Sequence, residues 1–159
     1  MFKNFGLLLS IVVIVSACGF KLRGVTAVFP EDLAVIVNAD KKTVSPQVSQ
    51  ALKSQLEQQG SRSTLKVFLL DASFSSRVLV LDKNARPIKQ LMVLKVDYQY
   101  SNDKKLHGVD HVNLSRNYLV DLSELATKSQ FESSIKRQLL AEAASRIKDN
   151  LVKRLAENQ

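Results

Sequence analysis

Few side chains in this 159-residue sequence are of kinds that do chemistry. It has one thiol, Cys18, and two imidazoles, His107 and His111. Two histidines four apart on a helix would meet one zinc ion. These two fall in a segment patterned as a strand, where four residues span about 13 Å, too far for a shared metal. They read as surface histidines, and Asp110, on the opposite strand face, does not complete a His–Asp pair. No Gly-x-Ser-x-Gly elbow and no phosphate-cradling glycine loop occurs, and only five glycines are present. The residues point away from an enzyme and toward recognition. Charge-assisted bonds from Lys and Arg are the strong way to hold a phosphate. Lys83 and Arg86 occupy a turn, where an arriving ligand meets them first. Lys128 opens the last helix, whose N-terminus favours an anion. Arg116, late in the preceding strand, is placed to join them. These four form the candidate anion-binding set; the alternative is solvated surface charge.

The thiol has a different setting. Lys3 gives a positive start, and Phe5 to Ala17 is an almost wholly apolar run of 13 residues, where a membrane-crossing helix needs roughly 20. A charged start, a short apolar stretch and small residues before a break read as a secretory signal peptide. Val15-Ser16-Ala17-Cys18 resembles a lipobox, the processing sequence of bacterial lipoproteins. That resemblance implies a diacylglycerol on the Cys18 thiol, cleavage before Cys18 and acylation of the new amino group, with no other cofactor.

The following residues, Cys18-Gly19-Phe20-Lys21-Leu22-Arg23-Gly24, closely resemble the start of the mature LptE family, whose signature is Cys-Gly, an aromatic, any residue, then Leu-Arg. Gly19, Phe20, Leu22 and Arg23 carry the match. The resemblance implies an outer-membrane lipoprotein that plugs and helps assemble the LptD β-barrel, which delivers lipopolysaccharide to the cell surface. It makes the phosphates of lipid A the expected ligand of Lys83, Arg86, Arg116 and Lys128. Gly19 stands where an Asp would retain a lipoprotein in the inner membrane of enteric-type bacteria, so residence on the periplasmic leaflet of the outer membrane is expected. Export makes nucleic acid an unexpected partner. The competing reading is a stand-alone periplasmic lipid-binding or transport-accessory lipoprotein. A pocket for such a ligand would be rich in aromatic residues and Met, and the chain has no Trp and two Met.

The expected organisation is a signal peptide at 1–17, a lipidated tether at 18–31 and one domain at 32–159. Loss of the leader leaves 142 residues, with 22 Lys and Arg against 15 Asp and Glu, a net charge of +7. A surplus of this sign favours phosphates or anionic lipid. Leu33 to Val37 reads as a buried strand. Ser45 and Pro46 open a helix over 46–59, with Gly60 as its left-handed stop. Leu65 to Leu70 is a second strand, extended by Phe74 to Leu81. Apolar residues occupy both of its faces, whereas a strand with one face in water alternates; its second face is therefore expected to be covered. Asp82 to Pro87 is a turn, Ile88 to Tyr100 a third strand, and residues 101–104 a second turn. Leu106 to Leu119 is a fourth strand, with Gly108 as a bulge. Ser129 and Glu132 form a capping box for a closing helix whose apolar stripe is Phe131, Ile135, Leu139, Ala143, Ile147, Leu151 and Leu155. The sum is an α+β domain, two helices packed on one face of a four-stranded mixed sheet, in the order β-α-β-β-β-α. That pattern also resembles the LptE fold.

Overall fold

The computed structural model describes residues 28–103, 106–120 and 125–157, the side chains of 125–128 excepted. The elements are β1 (Leu33–Ala39), α1 (Pro46–Leu56), β2 (Ser63–Leu81), β3 (Pro87–Asn102), β4 (His107–Leu119) and α2 (Leu125–Glu157). The sheet order is β1-β2-β3-β4, with β1 parallel to β2 and the other pairs antiparallel. The expected α+β architecture and element order are those observed.

One face of this sheet builds the core. Leu33, Val35 and Val37 of β1, Leu65, Val67 and Leu69 of β2, Met92 to Tyr100 at every second position of β3, and Val112, Leu114 and Tyr118 of β4 are all buried. They meet Val48, Leu52 and Leu56 of α1 and the stripe from Ile135 to Leu151 of α2 in one apolar cluster. The period of two along the strands and of about four along the helices is what puts these residues on one surface. Helix α2, about 50 Å long at 1.5 Å per residue, runs back along β4. Its contacts follow in order: Glu132 accepts a bond from Tyr118, Glu142 binds Arg116, and Asn150 donates to Tyr98.

Several local expectations are corrected. Helix α1 ends at Leu56, with Glu57 already extended, because the next residue is drawn into a two-way backbone bridge with Val35 of β1. Gly60 is therefore no helix stop. A Cβ there would lie 2.2 Å from the Leu33 carbonyl carbon, so the close approach of two backbones is what requires glycine. The pairing of β3 with β4 is unbroken, so Gly108 marks no bulge; it leaves room for the Tyr100 ring, whose hydroxyl a Cβ would meet at 2.5 Å. The register irregularities lie in β2 instead, between Leu69 and Asp71 and between Val78 and Leu81. Helix α2 begins at Leu125. Ser129 and Glu132 thus lie within it, and the Ser129 carbonyl accepts the Ser133 hydroxyl one turn on. Phe131 is half exposed and tilts against Tyr118, their ring centres 6.1 Å apart, rather than entering the core. Phe29, from the stretch expected to be tether, is 2% exposed and packs in the core with the Lys148 ammonium 5.0 Å above its ring.

Candidate functional site

The β2–β3 hairpin places Lys83 and Arg86. Asp82 fixes its turn: the Asp82 amide donates to the Arg86 carbonyl, and one Asp82 carboxylate oxygen accepts the amides of Asn84 and Arg86, all at 2.8 Å. Ala85 takes the left-handed conformation at φ 59°, the αL position of a three-residue hairpin loop. Lys83, Asn84 and Arg86 are exposed around this pinned backbone. Below them Val78, Leu79, Val80, Leu81 and Ile88 are exposed as well, as is Leu119 at the adjoining end of β4. Hairpin and β4 end together present two cations above a band of apolar side chains.

The other two candidate cations are placed differently. Arg116 stands opposite Met92, five residues and about 17 Å along the strand from the turn. Its guanidinium is bonded to Gln138 and Glu142, and Glu142 also accepts from Arg146 at 3.0 Å. It ties β4 to α2 and is not brought together with Lys83 and Arg86. Lys128 falls in the first turn of α2, and that helix does start at the hairpin end, since the one Tyr118 hydroxyl proton is shared between Gln90 at 2.6 Å and Glu132 at 3.2 Å. The Lys128 side chain lies outside the described residues, as do Cys18, Gly19, Phe20, Leu22 and Arg23.

The second feature is the sheet face away from the helices. Val67 and Leu69 point into the core, whereas Phe68 is 40% exposed on the far side. Ile36 and Val109 share that side with it, at 44% and 67% exposed. The middle of the face is polar: Ser73, Ser75, Asn113 and Ser115 surround Lys95 and Asp97, which pair at 2.9 Å. Asp97, through this hydrogen bond and then through its charge, holds the Lys95 ammonium protonated to higher pH than usual. Among the described residues no element of the chain covers this face. The sequence expectation of apolar residues on both faces of β2 left open which face is core, and it did not reach Ile36 or Val109. The signal for Ile36 was present, as Leu33 to Val37 is apolar at both parities.

Comparison with known proteins adds the family. The model of the LptE lipopolysaccharide-assembly family matches residues 32–151. The chain belongs to the LptE family. The match spans every strand and all but the last turns of α2, so this LptE-family chain is a lipopolysaccharide-assembly lipoprotein of the cell envelope. Among solved structures, rare lipoprotein B from Shewanella oneidensis superposes with a TM-score of 0.65 at 13% identity, covering 77% of this chain and 96% of that one. Lipoprotein B from Nitrosomonas europaea gives 0.59 at 18% identity over 82% and 88%. A minor lipoprotein from Acinetobacter baumannii gives 0.55 at 16% identity over 77% and 91%. At these identities the likeness is one of fold. No curated protein sequence matches the chain.

Proposed function

We propose that this LptE-family lipoprotein, acylated at Cys18 and held on the periplasmic side of the outer membrane, seats within the LptD β-barrel and presents its β2–β3 hairpin end to lipopolysaccharide. The observation that carries the reading is the combination at that end: Lys83 and Arg86 exposed on a pinned turn, above apolar Val78 to Leu81, Ile88 and Leu119. Lipopolysaccharide has the matching pair of chemistries, phosphates beside acyl chains. The cations would take the phosphates through charge-assisted bonds, and the exposed aliphatic band would shed water against the chains. Lys128, one helical turn before Glu132, belongs to the same end of the fold and is included as a third cation. Arg116 is not, because Glu142 and Gln138 already hold it.

The test is binding of full-length protein to purified lipopolysaccharide. Lys83→Asp with Arg86→Asp should weaken binding at least about tenfold, the loss of one to two charge-assisted contacts. Arg116→Ala should leave it unchanged. Binding of the wild type should fall as salt rises, since exposed charges are screened beyond about 10 Å at 0.1 M. Equal affinities for the wild type and the double variant would remove the hairpin end from the account.

A further inference from the structure

The two edges of the sheet are finished in opposite ways. On the outer edge of β1, Val35 exchanges both backbone bonds with Gln58, the Val37 amide donates to the Glu57 carboxylate, and the Gln58 side chain donates to the Leu33 carbonyl. That edge is closed. The edge of β4 is not. The Asn102 amide donates to the Leu106 carbonyl and the Val120 amide to the Ile88 carbonyl, which sets the phase of the antiparallel ladder: even-numbered residues of β4 bond to β3, and odd-numbered ones aim N–H and C=O outward. The Asp110 carboxylate occupies the His111 amide. Among the described residues nothing pairs with the outward backbone groups of Asn113, Ser115 and Asn117.

Edge strands are ordinarily blunted by charged side chains, proline, a bulge or shortness. Over its 13 residues this one has no proline and no bulge, and its two charged side chains are engaged elsewhere, Asp110 on the His111 amide and Arg116 on Gln138 and Glu142. Beside it lies a groove of about 320 Å³, walled by His111, Val112 and Asn113 of β4 and by Arg146, Asp149 and Asn150 of α2. An edge strand with a helix-walled groove alongside is the arrangement into which an extended peptide adds as a further strand.

We propose that the 113–117 edge of β4 receives an extended segment of a partner polypeptide, which extends the sheet as a fifth strand from the groove beside α2. Only another extended backbone repeats donors and acceptors at the two-residue spacing of this edge. The flanking side chains, Asn113, Ser115 and Asn117, are exposed and uncharged, so the segment carries short, uncharged polar side chains at alternate positions. A second copy of this chain fits less well. It would bring its own α2 onto the same face, above a strand about 4.8 Å away, where packed helices stand about 8–10 Å apart. The proposal assumes no identity for the partner and does not depend on the hairpin end.

The test measures amide hydrogen exchange of the full-length lipoprotein, purified alone and recovered within its membrane complex. Alone, the Asn113, Ser115 and Asn117 amides should exchange as open-edge amides; in the complex they should slow by about tenfold or more. Ser115→Pro removes an outward donor without touching the β3 ladder, a tolerated place for proline, and should abolish the slowing at Asn113 and Asn117, while Ser115→Ala keeps it. Equal exchange in the two states would overturn the proposal. So would slowing that persists in the proline variant, and so would protection that grows with concentration in the purified protein, the sign of a second copy. Exchange in the wild type is informative even if the proline variant does not fold.

Discussion

Asp82 spends one carboxylate oxygen on two amides of a five-residue turn, and this small structure holds two of the three cations assigned to the ligand. The same turn contains a conformational fault. Ala85 sits at φ 59°, where an L-residue with a Cβ is disfavoured by about 1–2 kcal/mol. Ala85→Gly removes that clash and gives back part of the gain through greater freedom of the unfolded chain. The net expectation is a gain of about 0.5–1 kcal/mol, seen as a higher denaturant midpoint at unchanged slope, with lipopolysaccharide affinity unaltered. A lower midpoint would mean that the turn is not held as described. The residue types of this turn were legible in the sequence, because Asp, Asn and Pro in six positions mark a turn by their own backbone chemistry. That Ala85 would be its left-handed residue was not, since alanine gives no local sign of it.

At the scale of elements, two tyrosines join the sheet to α2. Tyr98 is fully buried, accepts a bond from Asn150 of α2, and has its pKa pushed up to about 12, chiefly by burial. Tyr118 is also pushed up to about 12, first by burial and then by the charge of Glu132, to which it donates. For a phenol, a pKa above the unfolded value of about 10 means that the folded state favours the neutral form. The resulting stability is complete below pH about 10 and is lost as pH climbs from there toward 12. Melting temperature should hold steady up to that window and fall through it, and Tyr98→Phe with Tyr118→Phe should flatten the fall. An identical alkaline decline in the double variant would contradict the assignment. The elements themselves were readable from periodicity, because burial of one stripe repeats at the strand or helix period. Their ends were not. Helix α1 stops where Gln58 finds Val35, a partner more than twenty positions away. Helix α2 starts before its capping box because Leu125 to Lys128 contains nothing that breaks a helix. Arg116 was misplaced for the same kind of reason: sequence order put it near the turn, while Glu142 on α2 claims it.

For the whole molecule, the decisive feature is the asymmetry of its sheet. Two helices bury one face up to the exposed hairpin end, and the other face carries Ile36, Phe68 and Val109 in the open with no described element over it. The sequence made this legible as apolar residues on both sides of β2, though not which side was core; the structure gives Val67 and Leu69 to the core and leaves Phe68 outside. A wall of the LptD barrel is the cover that the proposed function supplies. The most direct measurement is co-purification of LptD with tagged full-length protein carrying Phe68→Asp, against Ser73→Asp in the polar middle of the same face. Burying an unpaired carboxylate costs several kcal/mol, whereas Phe68 is not needed by the core. The account predicts that Phe68→Asp keeps the wild-type circular dichroism and loses LptD. Full retention of LptD by a folded Phe68→Asp protein would contradict it.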